Sequence, residues 1–259
     1  MRISVITVCY NAAATVADAV ESVLGQRGQT RHGANGTWDL EYVVVDGAST
    51  DGTLEVLAPY KDRIATLISE PDKGLYDAMN KGVAACTGEV VAILNADDVY
   101  ASDEVLMHVA EAFAASGAQG VYGDLNYVEA EDTTKVVRRW KTGAYQRGGF
   151  RRGWMPPHPA FFVRKSCYDR WGVFTLKLRS AADYELMLRF IHRHQMTLHY
   201  LSMTLVHMRA GGMSNASLGH RLRAHREDWQ AWRMNGFSPS PLALWAKPLR
   251  KLPQFLARK

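Results

Sequence analysis

"VVAILNADDVY", residues 90–100, decides how this chain is read. Val90, Val91, Ile93 and Leu94 form a short, continuous, partly β-branched apolar run, as expected for a strand buried on both faces of a parallel sheet. The run ends on Asn95, Asp97 and Asp98, which cannot share that burial. Adjacent carboxylates repel one another, so something must offset their clustering. One answer is a turn, because Asn and Asp hydrogen-bond their own backbone. The other is a divalent cation with an anionic ligand. Both stand open on these residues alone.

The flanking sequence repeats the same plan. "ISVITVCYN" (3–11) has a strand pattern, and "AAATVADAVESVLGQ" (12–26) places Val16, Val20, Val23 and Leu24 at helical spacing. "LEYVVVDGASTDGTLEVLAPY" (40–60) is a strand through Val45, a turn-rich "DGASTDG", then a helical stretch. "ATLISEPDKG" (65–74) supplies a third strand, "LYDAMNKGVAACTG" (75–88) a helix closed by Gly88, and "EVVAIL" a fourth strand. Such β-α alternation predicts an α/β fold with a mostly parallel central sheet flanked by helices. In open sheets of this kind ligands bind at the carboxyl ends of the strands. Asn11, Asp46, "EPDKG" and "NADD" all fall at such ends, so four polar clusters are expected to converge on one rim.

Beyond the fourth strand, residues 117–150 predict strands around a polar hairpin, "SAADYELMLRFIHRHQ" (180–195) a helix, and "RAGGMSN" a loop hinged at Gly211 and Gly212. No repeat or low-complexity linker interrupts the chain. The expected organisation is one domain over 1–215 and a basic, amphipathic C-terminal helical extension over 216–259.

At 259 residues and 47% apolar content the chain can bury a large core. The start "MRISVITVCYN" has no signal-peptide pattern and no window approaches a membrane span, so a cytoplasmic location is expected. Cys9, Cys86 and Cys167 are odd in number and lack metal-ligand spacing, which fits small core residues in a reducing compartment. The net charge of +5 hides an asymmetry: residues 1–134 carry 7 Lys and Arg against 21 Asp and Glu, residues 135–259 carry 24 against 5. A basic second half faces something anionic, with a phosphorylated substrate, a membrane surface and nucleic acid all eligible.

No G-x-G-x-x-G, P-loop or G-x-S-x-G pattern follows any of the strands, so dinucleotide binding, P-loop phosphate handling and the hydrolase nucleophile elbow are not supported. The rim offers carboxylates, which would repel phosphates unless a metal screened them. "SVITVCYNAAATVADAVESVLGQ", "YVVVDGASTDGT", "SEPDKGLYDAMNKGVAACTGEVVAILNADD" and "SAADYELMLRF" together resemble glycosyltransferase family 2, inverting enzymes with a GT-A nucleotide-diphosphosugar transferase fold. The wording "SEPDKGLYDAMNKG" is similar to members that build bacterial exopolysaccharide, capsule, O-antigen or colanic acid. The resemblance covers about residues 2–215.

The resemblance implies a UDP- or GDP-sugar donor, Mn²⁺ or Mg²⁺, and a saccharide or polyprenyl-diphosphate-linked acceptor in surface polysaccharide or lipopolysaccharide synthesis. On the nucleotide side it implies Tyr10 stacking on the base and Asp46 accepting a base N–H, with Asn11 beside them. For Tyr10 the alternative is a half-buried core aromatic, and for Asp46 an Asx turn with Gly47. Asp98 is implied to ligate the metal and Asp97 to hold ribose or sugar hydroxyls; Asn95 stands where many members have Asp. Lys73 is implied at the phosphates or base, against a solvated turn lysine. Asp183 is implied as the base that takes the acceptor proton, although it or Ser180 equally suits a helix N-cap. Ala182 replaces the acidic residue that precedes the base in the family. His207 is a further candidate for the metal or diphosphate site and His158 for the acceptor side, each against a structural imidazole.

In the extension, Leu242, Trp245, Leu249, Leu252 and Leu256 alternate with Lys247, Arg250, Lys251, Arg258 and Lys259, a pattern for an anionic membrane surface or for packing on the domain. Pro248 and Pro253 argue against one continuous helix. Peripheral attachment at the inner face of the plasma membrane follows from the first of these. Two other functions compete: a non-catalytic nucleotide-sugar-binding regulator, and a nucleic-acid-binding protein. The acidic rim and the lack of a nucleic-acid motif count against the latter, so no nucleic-acid partner is expected.

Overall fold

The computed structural model describes residues 1–29, 38–211 and 218–238. The chain opens with β1 (Arg2–Cys9), α1 (Val16–Leu24), β2 (Asp39–Asp46), α2 (Thr53–Leu57), β3 (Thr66–Ser69), α3 (Leu75–Ala85) and β4 (Val90–Asn95). β1 pairs in parallel with both β2 and β4, and β2 with β3, giving the order β3-β2-β1-β4. The predicted alternation is therefore the parallel half of the sheet. β3 is shorter than its sequence pattern because Pro71 brings no N–H to a ladder and Gly74 has φ of +113°. The chain from Glu70 to Gly74 leaves the sheet and lies along its rim.

The second half changes direction. β5 (Asp98–Tyr100) and α4 (Val105–Ser116) lead into β6 (Gly120–Val128), β7 (Val136–Trp140), β8 (Phe161–Arg164) and β9 (Leu198–Arg209). β8 runs antiparallel to both β4 and β6, β7 antiparallel to β6, and β5 antiparallel to β9, while β6 and β9 are parallel. The fold is mixed α/β, and the expected polar hairpin is the β6–β7 pair. α5 (Lys165–Trp171), α6 (Ala182–Met187), a π-helical turn over Leu188–Arg193 and α7 (Leu218–Met234) complete it. The helix predicted over 180–195 thus begins as α-helix and ends in that π turn.

Strand pleating sorts the side chains into two cores. Ile6, Val8, Val43, Val45, Val91 and Ile93 face α3, α5, α6 and α7, whereas Val5, Val44, Val90, Ala92 and Leu94 face α1, α2 and α4. Continuous apolar runs are needed because both faces of these strands are covered. The polar residues inside the runs have partners: the Tyr42 hydroxyl donates to Thr7 at 2.9 Å, and Ser4 donates to Glu41. α7 packs on α6, with Trp232 fully buried and its Nε1 donating to the Tyr184 hydroxyl at 2.9 Å. The rest of the predicted extension, residues 239–259, lies outside the described residues, as does most of the "RAGGMSN" loop.

α3 approaches β1 so closely that a Cβ on Gly82 would come within 2.4 Å of Ile6 Cγ2. Gly82→Ala is expected to lower the urea midpoint with an unchanged slope. Overpacking costs about 1–3 kcal/mol, which outweighs the gain of about 1 kcal/mol in helix propensity. Equilibrium urea unfolding of the purified variant checks it.

Candidate active site

The stretch "VVAILNADDVY" is a strand, a turn at Ala96–Asp97 and a second short strand, so both sequence readings hold in part. The turn swings the chain from the end of β4 across to β9, where Asp98 pairs with Met208 and Val99 with His207. Asp98 is fully buried. Its Oδ2 accepts from Asn95 Nδ2 at 3.1 Å, while Asp98 Oδ1 and Asn95 Oδ1 have no hydrogen-bond partner. Burial and then the neighbouring Asp97 charge push the Asp98 pKa well above the ordinary carboxylate range, against the opposing pull of Asn95 and of the Arg209 backbone N–H and guanidinium. Arg209 clamps the turn from below, donating through Nη1 to the Asp97 carbonyl at 2.8 Å and pairing with Asp18.

Asp46 ends β2, opposite Cys9 at the end of β1, and Asn95 pairs with Val8 on the other side of β1. The two acidic strand ends therefore flank β1 on one rim, at about two strand spacings, ~10 Å. Asp46 is fully buried and held by this chain's own donors: Ser69 Oγ at 2.7 Å, Ser49 N at 3.1 Å and the Ser49 hydroxyl. The Cys9 thiol also points at it from 3.7 Å, and burial, with the Asp46 charge, pushes that thiol up to about 12. A nucleobase N–H reaches Asp46 only by turning one of these hydroxyls aside. The Asx-turn alternative is present as well, in the bond from Ser49 N.

Tyr10 is not a core aromatic: its ring is 65% exposed on the rim. Asn11 has φ of +49° and links β1 to the next loop, its Oδ1 accepting from Thr50 N and its N–H donating to Ser49 Oγ. Gly47 lies between Tyr10 and Asp72, where a Cβ would come within 2.5 Å of Asp72 Oδ2 and 3.3 Å of the Tyr10 ring. Asp72 belongs to the "EPDKG" cluster expected at the rim, where the sequence reading singled out Lys73 and gave Asp72 no role of its own. It accepts from Gly74 N at 2.7 Å, and Lys73 N donates to Asp77 at 2.9 Å, leaving the Lys73 side chain exposed.

Asp183 faces a cavity of about 580 Å³ reaching from Asn95 to Asp228, walled by Tyr127, Trp140 and Trp154. It lies inside the first turn of α6, whose N-cap is Ala181 without a side-chain bond, so neither Asp183 nor Ser180 serves as the cap. Instead Asp183 Oδ1 accepts a hydrogen bond from the Tyr76 hydroxyl at 3.1 Å. Burial and the Asp183 charge push the Tyr76 pKa up, keeping the phenol a donor. His158 lines the same cavity, edge-on to Phe174 at 5.5 Å; burial depresses its pKa against the pull of Asp183, so it is neutral at pH 7.

His207 does not join Asp98. It shares a face with Val99, whereas Asp98 shares one with Met208, so the pleat directs the imidazole away, toward the Thr133 backbone. Among the described residues no three His, Cys, Asp or Glu side chains form a metal-binding group, and no helix is long and apolar enough to cross a membrane.

The chain is 36% identical over 137 residues to an uncharacterized glycosyltransferase of Nostoc sp. strain PCC 7120, covering 52% of this chain and 39% of that one. It is 32% identical over 189 residues to a PGL/p-HBAD biosynthesis glycosyltransferase of Mycobacterium tuberculosis, covering 68% of each. The chain thus spans well under half of the first relative and about two thirds of the second. Among solved structures, S. aureus TarS in complex with UDP-GlcNAc superposes with a TM-score of 0.67 at 18% identity, over 91% of this chain and 65% of TarS. Mannosyltransferase PcManGT from Pyrobaculum calidifontis, in complex with GDP-Man and Mn²⁺, gives 0.65 at 20% identity, over 100% of this chain and 76% of that one. These likenesses identify the GT-A glycosyltransferase fold. The family model described as glycosyl transferase family 2 matches residues 4–182, a span that runs from β1 to the first residue of α6 and takes in the whole acidic rim. On that match the chain belongs to glycosyltransferase family 2.

Proposed function

We propose that the protein is a metal-dependent inverting glycosyltransferase. It moves a hexosyl or N-acetylhexosaminyl group from a UDP- or GDP-sugar to a saccharide or polyprenyl-diphosphate-linked acceptor, in bacterial surface polysaccharide synthesis. The observation that carries this is the opening of one cavity onto both Asn95, at the end of β4, and Asp183, at the start of α6. The nucleotide sugars held by TarS and the Pyrobaculum mannosyltransferase support the donor class.

The residues fit a divalent cation. Two buried oxygens without partners, Asn95 Oδ1 and Asp98 Oδ1, lie at the rim, and hard oxygen donors suit Mn²⁺ or Mg²⁺. A set of only two protein oxygens leaves room for phosphate oxygens and water, the usual arrangement for Mg²⁺ at a phosphate substrate. A cation bound there would supply Lewis-acid stabilisation of the charge that develops on the departing diphosphate.

The chain's own residues do the rest. Tyr10 offers an open aromatic face to the base, and Asp97 and Lys73 meet the ribose and phosphates. Asp183 takes the proton of the acceptor hydroxyl as its oxygen attacks the anomeric carbon. The bond from that carbon to the diphosphate breaks with its electron pair on the leaving group, and a single displacement inverts the configuration. The cavity's aromatic walls present apolar faces to sugar rings and narrow the access of water. His158, neutral in this environment, faces the acceptor side.

Thermal shift with a panel of UDP- and GDP-sugars in Mn²⁺ tests the reading: at least one donor should raise Tm, and none doing so overturns it. Tyr10→Ala should weaken that donor by about 1–3 kcal/mol of lost stacking, roughly 5- to 150-fold in Kd. Tyr10→Phe should bind as wild type, because the face of the ring and not its hydroxyl carries the contact.

A further inference from the structure

The Asp183 carboxylate is tied to an element far away in sequence. Tyr76 is in the first turn of α3, two residues after Gly74, and its hydroxyl crosses 107 positions of sequence to reach Asp183 Oδ1 at 3.1 Å. The same phenol oxygen faces the backbone N–H groups of Ala182 and Asp183. Because Ala181 provides no side-chain cap, these N–H groups at the start of α6 would otherwise lack an acceptor. The Tyr76 ring is 8% exposed and stacks on Phe174 at 5.7 Å, so the hydroxyl has little freedom to turn elsewhere. Phe174 is itself anchored to α3, its N–H donating to Asn80 Oδ1 and its carbonyl accepting from Asn80 Nδ2, both at 2.9 Å.

We infer that Tyr76 is the positioning residue of the catalytic base. Its hydroxyl occupies Oδ1 and caps α6 from outside the helix, so that Oδ2 is the atom presented to the acceptor hydroxyl. The hydrogen bond fixes the rotamer of the carboxylate and so the place from which it takes a proton. It also ties the base to the start of α3, just after Asp72, whose carboxylate lies beside Gly47 and Tyr10. The distance between base and donor rim is thus set by five residues of chain and not by the connection from α5 to α6. The inference rests on the reading of Asp183 as the base.

The decisive experiment titrates Asp183 itself. In full-length protein with ¹³C-labelled Asp carboxyls, Asp183→Asn assigns the resonance and Tyr76→Phe is compared with wild type. Loss of a hydrogen bond made to the ionised form should raise the Asp183 titration midpoint above that of wild type. In turnover the acid limb of the kcat profile should move in the same direction, and loss of the fixed rotamer should lower kcat at neutral pH on the order of tenfold with the donor KM unchanged. Should Tyr76→Phe fail to fold, 3-fluorotyrosine at position 76 keeps the ring and strengthens the donor, and should lower the Asp183 pKa. An unchanged Asp183 titration in a folded Tyr76→Phe protein, or in the fluorotyrosine protein if Tyr76→Phe does not fold, overturns the inference. The titration needs neither donor nor turnover, so a wild-type protein that binds no nucleotide sugar defeats the proposed function without deciding the role of Tyr76.

Discussion

Asp183→Asn is expected to lower kcat by about 10²- to 10⁴-fold, the range for removing a positioned general base, while donor affinity and Tm stay near wild type. The amide keeps the volume of the carboxylate, and its oxygen can still accept from the Tyr76 hydroxyl that now reaches Oδ1 at 3.1 Å. What it cannot do is take a proton. The acceptor oxygen would then attack while still protonated, so the barrier rises in the chemical step alone and kcat and kcat/KM fall together. Asp183 belongs to the cavity wall and not to the Asn95–Asp98 pair, so donor binding has no reason to change. Single-turnover rates with the donor found by thermal shift, alongside its Kd, check both halves. A Kd that weakens in step with the rate would make Asp183 a donor ligand instead.

The parallel half of the fold was readable because β1, β2 and β4 are buried on both faces, which demands unbroken apolar runs, and because each ends on a polar cluster at a fixed place in the period. Part of the rim followed from topology: if those runs are parallel neighbours their carboxyl ends lie together, and Asp46 and Asn95 flank the end of β1. The second half was less legible. β8 and β9 reach β6 and β4 across long separations, and their direction depends on pairings that no local pattern encodes. The same limit hid Tyr76. On helical spacing it reads as a core position of α3, which by burial it is, and nothing nearby marks its hydroxyl as a partner of residue 183. His207 is a related case: a single-residue register between β5 and β9 decides which face its imidazole takes, and no local pattern encodes that register.

Asp98→Asn is expected to move stability and activity in opposite directions. In the metal-free protein Asp98 is fully buried beside Asp97, and its pKa lies well above the usual carboxylate range. A carboxyl whose folded pKa is raised contributes its stability below the unfolded value near 4 and loses it as pH climbs through the folded value. At pH 7 the metal-free protein therefore carries either an unscreened buried charge or a proton taken up from solvent, and both are unfavourable. Asparagine removes that liability while keeping the hydrogen bond from Asn95 Nδ2, so Tm in EDTA should rise by about 2–4 °C, corresponding to about 1 kcal/mol. The same change replaces an anionic ligand by a neutral one. Mn²⁺-dependent transfer should fall by at least ~10²- to 10³-fold, since stabilisation of the developing diphosphate charge is lost, and Mn²⁺ should no longer raise Tm. Thermal melts of both proteins in EDTA and in Mn²⁺, across pH 5 to 8, separate the terms: the gap between variant and wild type in EDTA should widen as pH rises and close or reverse with metal. A variant that melts below wild type in EDTA would mean that the Asp98 carboxylate holds the turn at the end of β4 for structural reasons, and the rim would then lose the one residue whose burial makes sense only in the company of a cation.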